Sequence, residues 1–441
     1  MFELTNKNTL KQRLSQTQRI EMSGKITQVV GLVIESEGPK APIGEICILK
    51  DRFGNEVTQT EIVGFKENNR ILSMVIGNTE NISPGMELVA TGHQLSVGVG
   101  DGLLGRVIDG LGNPIDNLGA VHTTSVRSIY ADPPNPLLRK RIAEPISTGI
   151  RAIDGLITFG KGQRVGIFAG SGVGKSTTIG MIARNASADI NVICLIGERG
   201  REVREFIEKD LGKAGLERSV VVCATGDTPA LVRIKCALLA TAIAEHFRDK
   251  GQDVLLMMDS VTRLAMAQRE VGLTIGEPPT TKGYTPSVFS LMQKTMERAG
   301  TSDIGSITGL YTVLVEGDDM NEPIADTARG ILDGHIVLSR HLASAGHYPA
   351  IDVLQSISRV RGDVTTPEHK KATQKIIEMM ATYKDVEDLI SVGAYRNGTN
   401  PRIDRSIALH DPITNFLRQG VTEGEPIDST IEKMYEIVGN E

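Results

Sequence analysis

The chain has 441 residues, room for about two to four domains. With 40% hydrophobic and 23% charged residues it has the composition of an ordinary globular protein that can bury a core. Its net charge of −6 argues against a basic nucleic-acid-binding surface over the whole molecule. No apolar run reaches the roughly 18 residues of a membrane span, and the N-terminus carries no apolar signal region. Cys47, Cys194, Cys223 and Cys236 form no C-x-x-C pair and are read as buried free thiols of a reducing cytoplasm. His335, His341 and His347 stand six apart, which is neither one helix face nor a ligand fork.

Residues 1–21 are polar and locally basic, with Lys7, Lys11, Arg13 and Arg19 against Glu3 and Glu21. Leu10 and Leu14 share a helix face, so the segment is either a frayed tail or a short docking helix that folds on a partner. Residues 22–95 change to β-rich runs at 25–34, 44–50, 57–65, 70–76 and 86–91, punctuated by Gly, Pro and Asn, which suggests a small β-barrel. Residues 96–150 are rich in glycine and proline and read as a connecting stretch, mostly loop and turn. The run P-P-N-P-L-L-R at 133–139 cannot be regular helix.

From 151 to about 365, apolar strand-like runs (164–169, 191–196, 219–223, 254–258, 309–315) alternate with helical periods (175–187, 201–213, 230–249). That alternation predicts an α/β domain with a parallel sheet and helices on both faces. The domain therefore extends over 96–365, and residues 366–441 read as a C-terminal helical domain.

The segment Ala169-Gly170-Ser171-Gly172-Val173-Gly174-Lys175-Ser176 follows a predicted strand and opens a predicted helix. It fits the P-loop pattern with Ala in place of the first Gly. The glycines let backbone N–H groups converge on phosphate oxygens, and the helix N-terminus adds its positive end. Lys175 reaches the phosphates, Ser176 offers a hydroxyl to Mg²⁺, and Thr177 closes the nucleotide-binding run. The run V-L-L-M-M-D ends in Asp259, a carboxylate at a strand's C-terminal end, expected beside the P-loop strand, where it can hold the water shell of Mg²⁺. Ser260, Thr262 and Arg263 follow, with a hydrogen-bonding role at least as fitting as a chemical one. Glu198, in G-E-R-G-R-E just past the strand at 191–196, could polarise a water; spacing alone leaves a solvated surface role equally open. Arg199 could touch the γ-phosphate or hold Glu198, and Glu202 lies one helical turn on.

Gly-Glu-Arg after the P-loop, Asp-Ser-Val-Thr-Arg at 259–263, G-E-P-P-T-T-K-G-Y-T-P-S-V-F at 276–289 and P-A-I-D-V-L-Q-S-I-S-R at 349–359 resemble the rotary ATP synthase catalytic-subunit superfamily, over roughly residues 22–440. The resemblance implies a RecA-like nucleotide domain, ATP as substrate, Glu198 as catalytic carboxylate and Arg359 as an arginine finger entering a neighbouring subunit's site. It also implies an aromatic on the adenine, matched to Phe416. A chain carrying both Glu198 and Arg359 holds both halves of an interfacial site, which a homo-oligomeric ring would complete; six is the number the resemblance implies.

Within the superfamily, the P-P-N-P-L-L-R segment and 313–340, with Asn321 and Gly330, are similar to the flagellar protein-export ATPases, relatives of the type III secretion ATPases. That implies a cytoplasmic ATPase at the inner face of the membrane. Its implied partners are a negative regulator, a stalk-like protein, the export gate and export substrates with their chaperones. The alternatives are an injectisome ATPase, a proton-driven synthase subunit, an RNA translocase and a non-catalytic nucleotide-binding subunit. The stretch 393–405 is almost without acid, unlike the synthase loop at that place. The acidic composition with 4% aromatics makes a poor single-strand stacking platform, so no nucleic-acid partner is expected.

Overall fold

Short, turn-punctuated strands in the N-terminal third close on themselves. The computed structural model describes residues 21–67, 70–77 and 80–439; the expected docking segment lies outside them except for Glu21. Strands β1 (Ser23–Val30), β2 (Val33–Glu37), β3 (Glu45–Lys50), β4 (Glu56–Lys66), β5 (Arg70–Val75) and β6 (Glu87–Gln94) form a closed barrel in the order β1-β2-β5-β4-β3-β6. Ile26, Ile34, Cys47, Leu49, Ile62, Ile71 and Leu88 fill its interior. The run 25–34 is two strands rather than one, because Gly31 turns the chain at φ 57°. The break between the two compact units falls between Leu95 and Ser96.

The stretch 96–150 is more structured than its composition suggests. β7 (Ser96–Val99) pairs with β9 (Ser125–Ser128), and β8 (Val107–Asp109) becomes the edge of the large sheet, parallel to the strand at 219–224. The P-P-N-P run makes only a single 3₁₀ turn, Pro136–Leu138. β10 (Pro145–Ile146) and β11 (Phe159–Gly160) form a small ribbon before the P-loop strand.

The large sheet continues with β12 (Arg164–Ala169), β13 (Ile190–Ile196), β14 (Ser219–Ala224), β15 (Asp253–Asp259), β16 (Gly300–Thr301), β17 (Ser306–Leu314), β18 (Gly334–Leu338) and β19 (Ile351–Ser358). Its order is β19-β18-β12-β17-β15-β13-β14-β8, with β16 beside β17. Neighbours from β18 to β8 run parallel, and all seven residues of β13 are buried, as a strand covered on both faces requires. β19 alone turns back along the main path and runs antiparallel to β18. The helical period at 201–213 is not one helix: an α-turn, a π-turn at Phe206–Leu211 and a second α-segment follow one another, broken at Gly212, whose φ is 65°.

The C-terminal helices are Pro367–Ser391, Pro401–Leu417 and Ile427–Val438. The first two start with a proline behind an N-cap: Thr366 Oγ1 accepts from His369 N at 3.2 Å and Asn400 Oδ1 from Arg402 N at 3.0 Å. Their apolar faces share one core with β12, β13 and the P-loop helix.

A buried ion pair fastens the 96–150 stretch to this body. Arg298 donates to both Glu245 oxygens at 2.8 and 2.9 Å, both side chains are nearly inaccessible, and its third nitrogen donates to the Ile129 carbonyl at 2.7 Å. Arg298→Leu leaves Glu245 buried with Arg127 as its remaining cation. We expect it to lower unfolding free energy by about 3–5 kcal/mol in urea denaturation, with Glu245→Leu/Arg298→Leu recovering part of the loss.

Candidate active site

The P-loop leaves the carboxyl end of β12 and enters the helix Lys175–Asn185. Gly174 holds φ 90° as the helix N-cap, a left-handed geometry that a side chain would strain. Gly172 has φ 78° with open space where a Cβ would stand, so its backbone faces outward, uncovered. Gly170 and Val173 are buried and anchor the loop, whereas Ser171 and Ser176 are exposed and Lys175 and Thr177 half-buried. This is a cradle of backbone donors at a helix N-terminus, the geometry that binds phosphate.

Three strand ends converge on Lys175. Asp259 closes β15, and its Oδ1 pairs with the Lys175 ammonium. Glu198 follows β13, and its Oε1 lies 3.4 Å from Lys175 Nζ. Contrary to the expectation from sequence, the strand of Asp259 does not lie beside the P-loop strand: β17 runs between them. That strand supplies a further residue that no motif marks. Thr312 Oγ1 donates to Asp259 Oδ1 at 2.7 Å and fixes the carboxylate. Its only mark in the sequence is a hydroxyl near the carboxyl end of the buried strand Ser306–Leu314.

Gly197 sets the direction of Glu198. Its φ is 68°, and a Cβ there would stand 3.2 Å from the Arg263 side chain. Gly197 N donates to the Ala224 carbonyl at 2.7 Å and Gly226 N to the Glu198 carbonyl at 3.1 Å, so the turn is pinned on both sides. Burial raises the Glu198 pKa above the ordinary 4.5; Lys175 opposes this, while the Asp259 and Glu202 carboxylates add to it.

The residues after Asp259 divide between frame and site. Ser260 Oγ caps the helix Val261–Thr274 by accepting from Arg263 N at 3.3 Å, and Thr262 Oγ1 accepts from Leu314 N at 2.9 Å. Arg263 Nε is buried with no hydrogen-bond partner among the described residues. A buried guanidinium nitrogen left over beside the Glu198 turn suits an anionic ligand. Mg²⁺ with a nucleotide triphosphate fits this set, since the Ser176 hydroxyl and the Asp259 carboxylate are hard oxygen donors beside the cradle.

Three of the expected site residues lie elsewhere. Arg199 is 86% exposed and pairs with Glu202 at 3.7 Å rather than turning back onto Glu198. Phe416 is buried in the core, its ring 3.4 Å from the position a Cβ on Gly155 would take, so it presents no face to a ligand. The aromatic beside the P-loop is Tyr348, 46% exposed, with ring carbons 3.7 Å from the corresponding point on Gly174. Its position directly before Pro349 in H-Y-P-A-I-D was the overlooked signal.

Arg359 is at the other end of the sheet. Its N–H donates to the Asp333 carbonyl at 3.0 Å, and the Asp333 carboxylate pairs with Arg164 Nε at 3.0 Å, at the start of β12. The P-loop leaves the opposite end of β12, about 17 Å away at strand rise. An arginine side chain does not span that distance, and the exposed Arg359 donates its Nη2 to the Arg329 carbonyl at 3.3 Å.

Comparison with known proteins finds relatives along nearly the whole chain. The nucleotide-binding domain model of the ATP synthase alpha/beta family matches residues 149–358, and its beta-barrel domain model matches 26–92. The flagellum-specific ATP synthase of Bacillus subtilis is 54% identical over 430 residues, covering 97% of this chain and 98% of that protein. The chain belongs to the ATP synthase alpha/beta family. Its branch is that of the flagellum-specific and type III secretion ATPases, because residues 365–436 match the type III secretion EscN ATPase C-terminal domain. The type 3 secretion system ATPase of Xanthomonas euvesicatoria is 48% identical, covering 94% of this chain and 93% of that one. The assembled ATPase EscN of enteropathogenic E. coli superposes with a TM-score of 0.89 at 48% identity, over 94% of this chain and 100% of that chain. A second structure, EscN with its central stalk EscO, gives 0.87 at 47% identity, again over 94% and 100%.

The raised Glu198 pKa carries a sign. A carboxyl whose folded pKa exceeds its unfolded one destabilises the fold above that range, where it must ionise while buried, and costs nothing below it. Glu198→Gln is therefore expected to raise the melting temperature at pH 7, with the gain fading as pH falls toward 4.5. Melting curves of both proteins across pH check this; an equal or lower melting temperature for the variant at pH 7 contradicts it.

Proposed function

We propose that this chain is the ATPase of the flagellar type III protein-export apparatus, a protein-secreting translocase that hydrolyses ATP as a homohexameric ring. The observation that carries the reading is the placement of Glu198 and Arg359 at opposite ends of one sheet in one chain. Each site is complete only when a neighbouring copy brings its Arg359 to the Glu198 end. The flagellar assignment rests on the flagellum-specific relative at 54% identity, and the injectisome ATPases at 48% stand for the same chemistry in another machine.

In this reading the N–H groups of Gly170–Gly174 and the Ser171 and Thr177 region hold the phosphates. Lys175 exchanges its carboxylate partners for the β- and γ-phosphate oxygens. Ser176 and Asp259 would hold Mg²⁺, which would supply positive charge against the phosphates. Glu198 accepts a hydrogen bond from the attacking water and aims it at the γ-phosphorus. The water oxygen bonds to the γ-phosphorus as that phosphorus parts from the β–γ bridging oxygen, the water's proton passes to the phosphate formed, and ADP and phosphate leave. Arg263, and Arg359 from the neighbour, offset the charge gathered on the transferring group. Tyr348, in place of Phe416, stacks on the adenine, and Arg199 acts from the rim.

The proposed partners are a stalk-like protein, a negative regulator docking on residues 1–21, the export gate at the inner face of the membrane, and export substrates with their chaperones. EscN has been solved with a central stalk, which supports the first of these. No helix of the described residues is long and apolar enough to cross a membrane, which accords with peripheral attachment. The acid in the 393–405 stretch is already engaged: Asp404 accepts from Gly398 N at 3.1 and 3.0 Å and from Tyr395 Oη at 2.9 Å. That carboxylate builds a turn and is not offered to a rotor.

Specific ATPase activity is expected to rise with protein concentration through the assembly range. Arg359→Ala is expected to lose about 10³-fold or more in kcat while keeping nucleotide affinity. A specific activity that stays flat from monomer to ring contradicts the interfacial site. In a strain lacking the gene, the Arg359→Ala copy is expected not to restore export of flagellar proteins; restored export contradicts the flagellar role of this activity.

A further inference from the structure

The wall that carries Tyr348 is tied to both ends of the P-loop helix, and one buried side chain stands at the centre of the tie. Gln419 is 5% exposed and every polar atom of its side chain is used. Oε1 accepts from Arg151 N at 2.9 Å, and Nε2 donates to the Gly149 carbonyl at 2.7 Å and to the Glu423 carbonyl at 2.8 Å. These bonds fix the backbone of Gln419, whose own N–H donates to the Tyr348 carbonyl at 2.9 Å. Arg151 backs the same loop by donating to the Phe416 carbonyl at 2.6 Å and to Glu425 Oε2 at 3.1 Å.

The loop 418–425 in turn rests on the far end of the P-loop helix. Arg184 donates to the Val421 carbonyl at 2.6 Å. Asn185 packs between Gly149 and Gly424, so closely that a Cβ on either would stand 2.4 or 2.3 Å from it. The near end of the helix, at Gly174, meets the Tyr348 ring. The helix is about 16 Å long at 1.5 Å per residue. A rigid frame therefore runs from its C-terminus through Gln419 to the tyrosine at its N-terminus.

We infer that Gln419 is a positioning residue for nucleobase binding: it holds Tyr348 at the distance from the P-loop at which the base of a nucleotide stacks, and it does not act on the phosphates. This rests on the reading of Tyr348 as the base platform. The consequence is a separation of base affinity from phosphate affinity, which a general loosening of the domain would not produce.

The test uses the full chain, with the KM for MgATP and the inhibition constant of inorganic triphosphate, which has phosphates and no base. Gln419→Ala is expected to raise the KM for ATP about tenfold, the lower range of one base–aromatic stack. The inhibition constant of triphosphate stays within about twofold of wild type. Tyr348→Ala shows the same split, and Tyr348→Ala/Gln419→Ala is no worse than Tyr348→Ala, because both act through one contact. Gln419→Met, which fills the space without the hydrogen bonds, gives the same result if the alanine variant does not fold. Equal loss for ATP and triphosphate overturns the inference, as does an unchanged KM in the Gln419 variants beside a raised one in Tyr348→Ala. An unchanged KM in Tyr348→Ala overturns the base platform and this inference together.

Discussion

A parallel sheet puts all its loops of one kind at one end, and a single antiparallel edge strand breaks that rule. Here the P-loop, Asp259 and Glu198 all follow the carboxyl ends of parallel strands, so they share one crevice. β19 runs the other way along the edge, and its last residues deliver Arg359 to the opposite end. Parallel strands gather these three groups at one end of the sheet, and the antiparallel edge strand carries Arg359 to the other. In the proposed ring of identical copies the far end of one sheet would face the crevice of the next.

The crevice is electrostatically prepared for a triphosphate. Lys175 stands between two carboxylates, with Thr312 holding one and a glycine turn aiming the other. Burial works against the charge on Glu198, the condition under which a carboxylate becomes a better proton acceptor near neutral pH. Arg263 Nε, buried and without a hydrogen-bond partner among the described residues, adds positive charge beside them. Asp259 ends a strand and Glu198 follows one, while Lys175 and Arg263 stand in the first turns of helices, so regular elements set the arrangement.

The sequence made the P-loop legible because its glycines, lysine and serine have no cheaper explanation between a strand and a helix. The five strands named for the nucleotide domain are all present, since buried parallel strands are continuous apolar runs. What stayed hidden was what depends on neighbours distant in sequence. β8 is three residues in a glycine-rich stretch and exists only because β14 offers it an edge. The interposed β17 cannot be read from strand content, and with it went Thr312. Phe416 has the composition of a binding aromatic and the environment of a core residue, while Tyr348 is set at the P-loop by a strand and a loop that meet only in the fold.

The central claim, that one chain supplies the two halves of a site to different copies, is tested most directly by mixing Glu198→Gln and Arg359→Ala proteins, each inactive alone. Random assembly of equal amounts pairs an intact Glu198 crevice with an intact Arg359 at about a quarter of the interfaces, so the account predicts ATPase activity near that fraction of wild type. Activity no greater than the sum of the two parents, in rings shown to contain both variants, would contradict it and leave a site completed within the single chain.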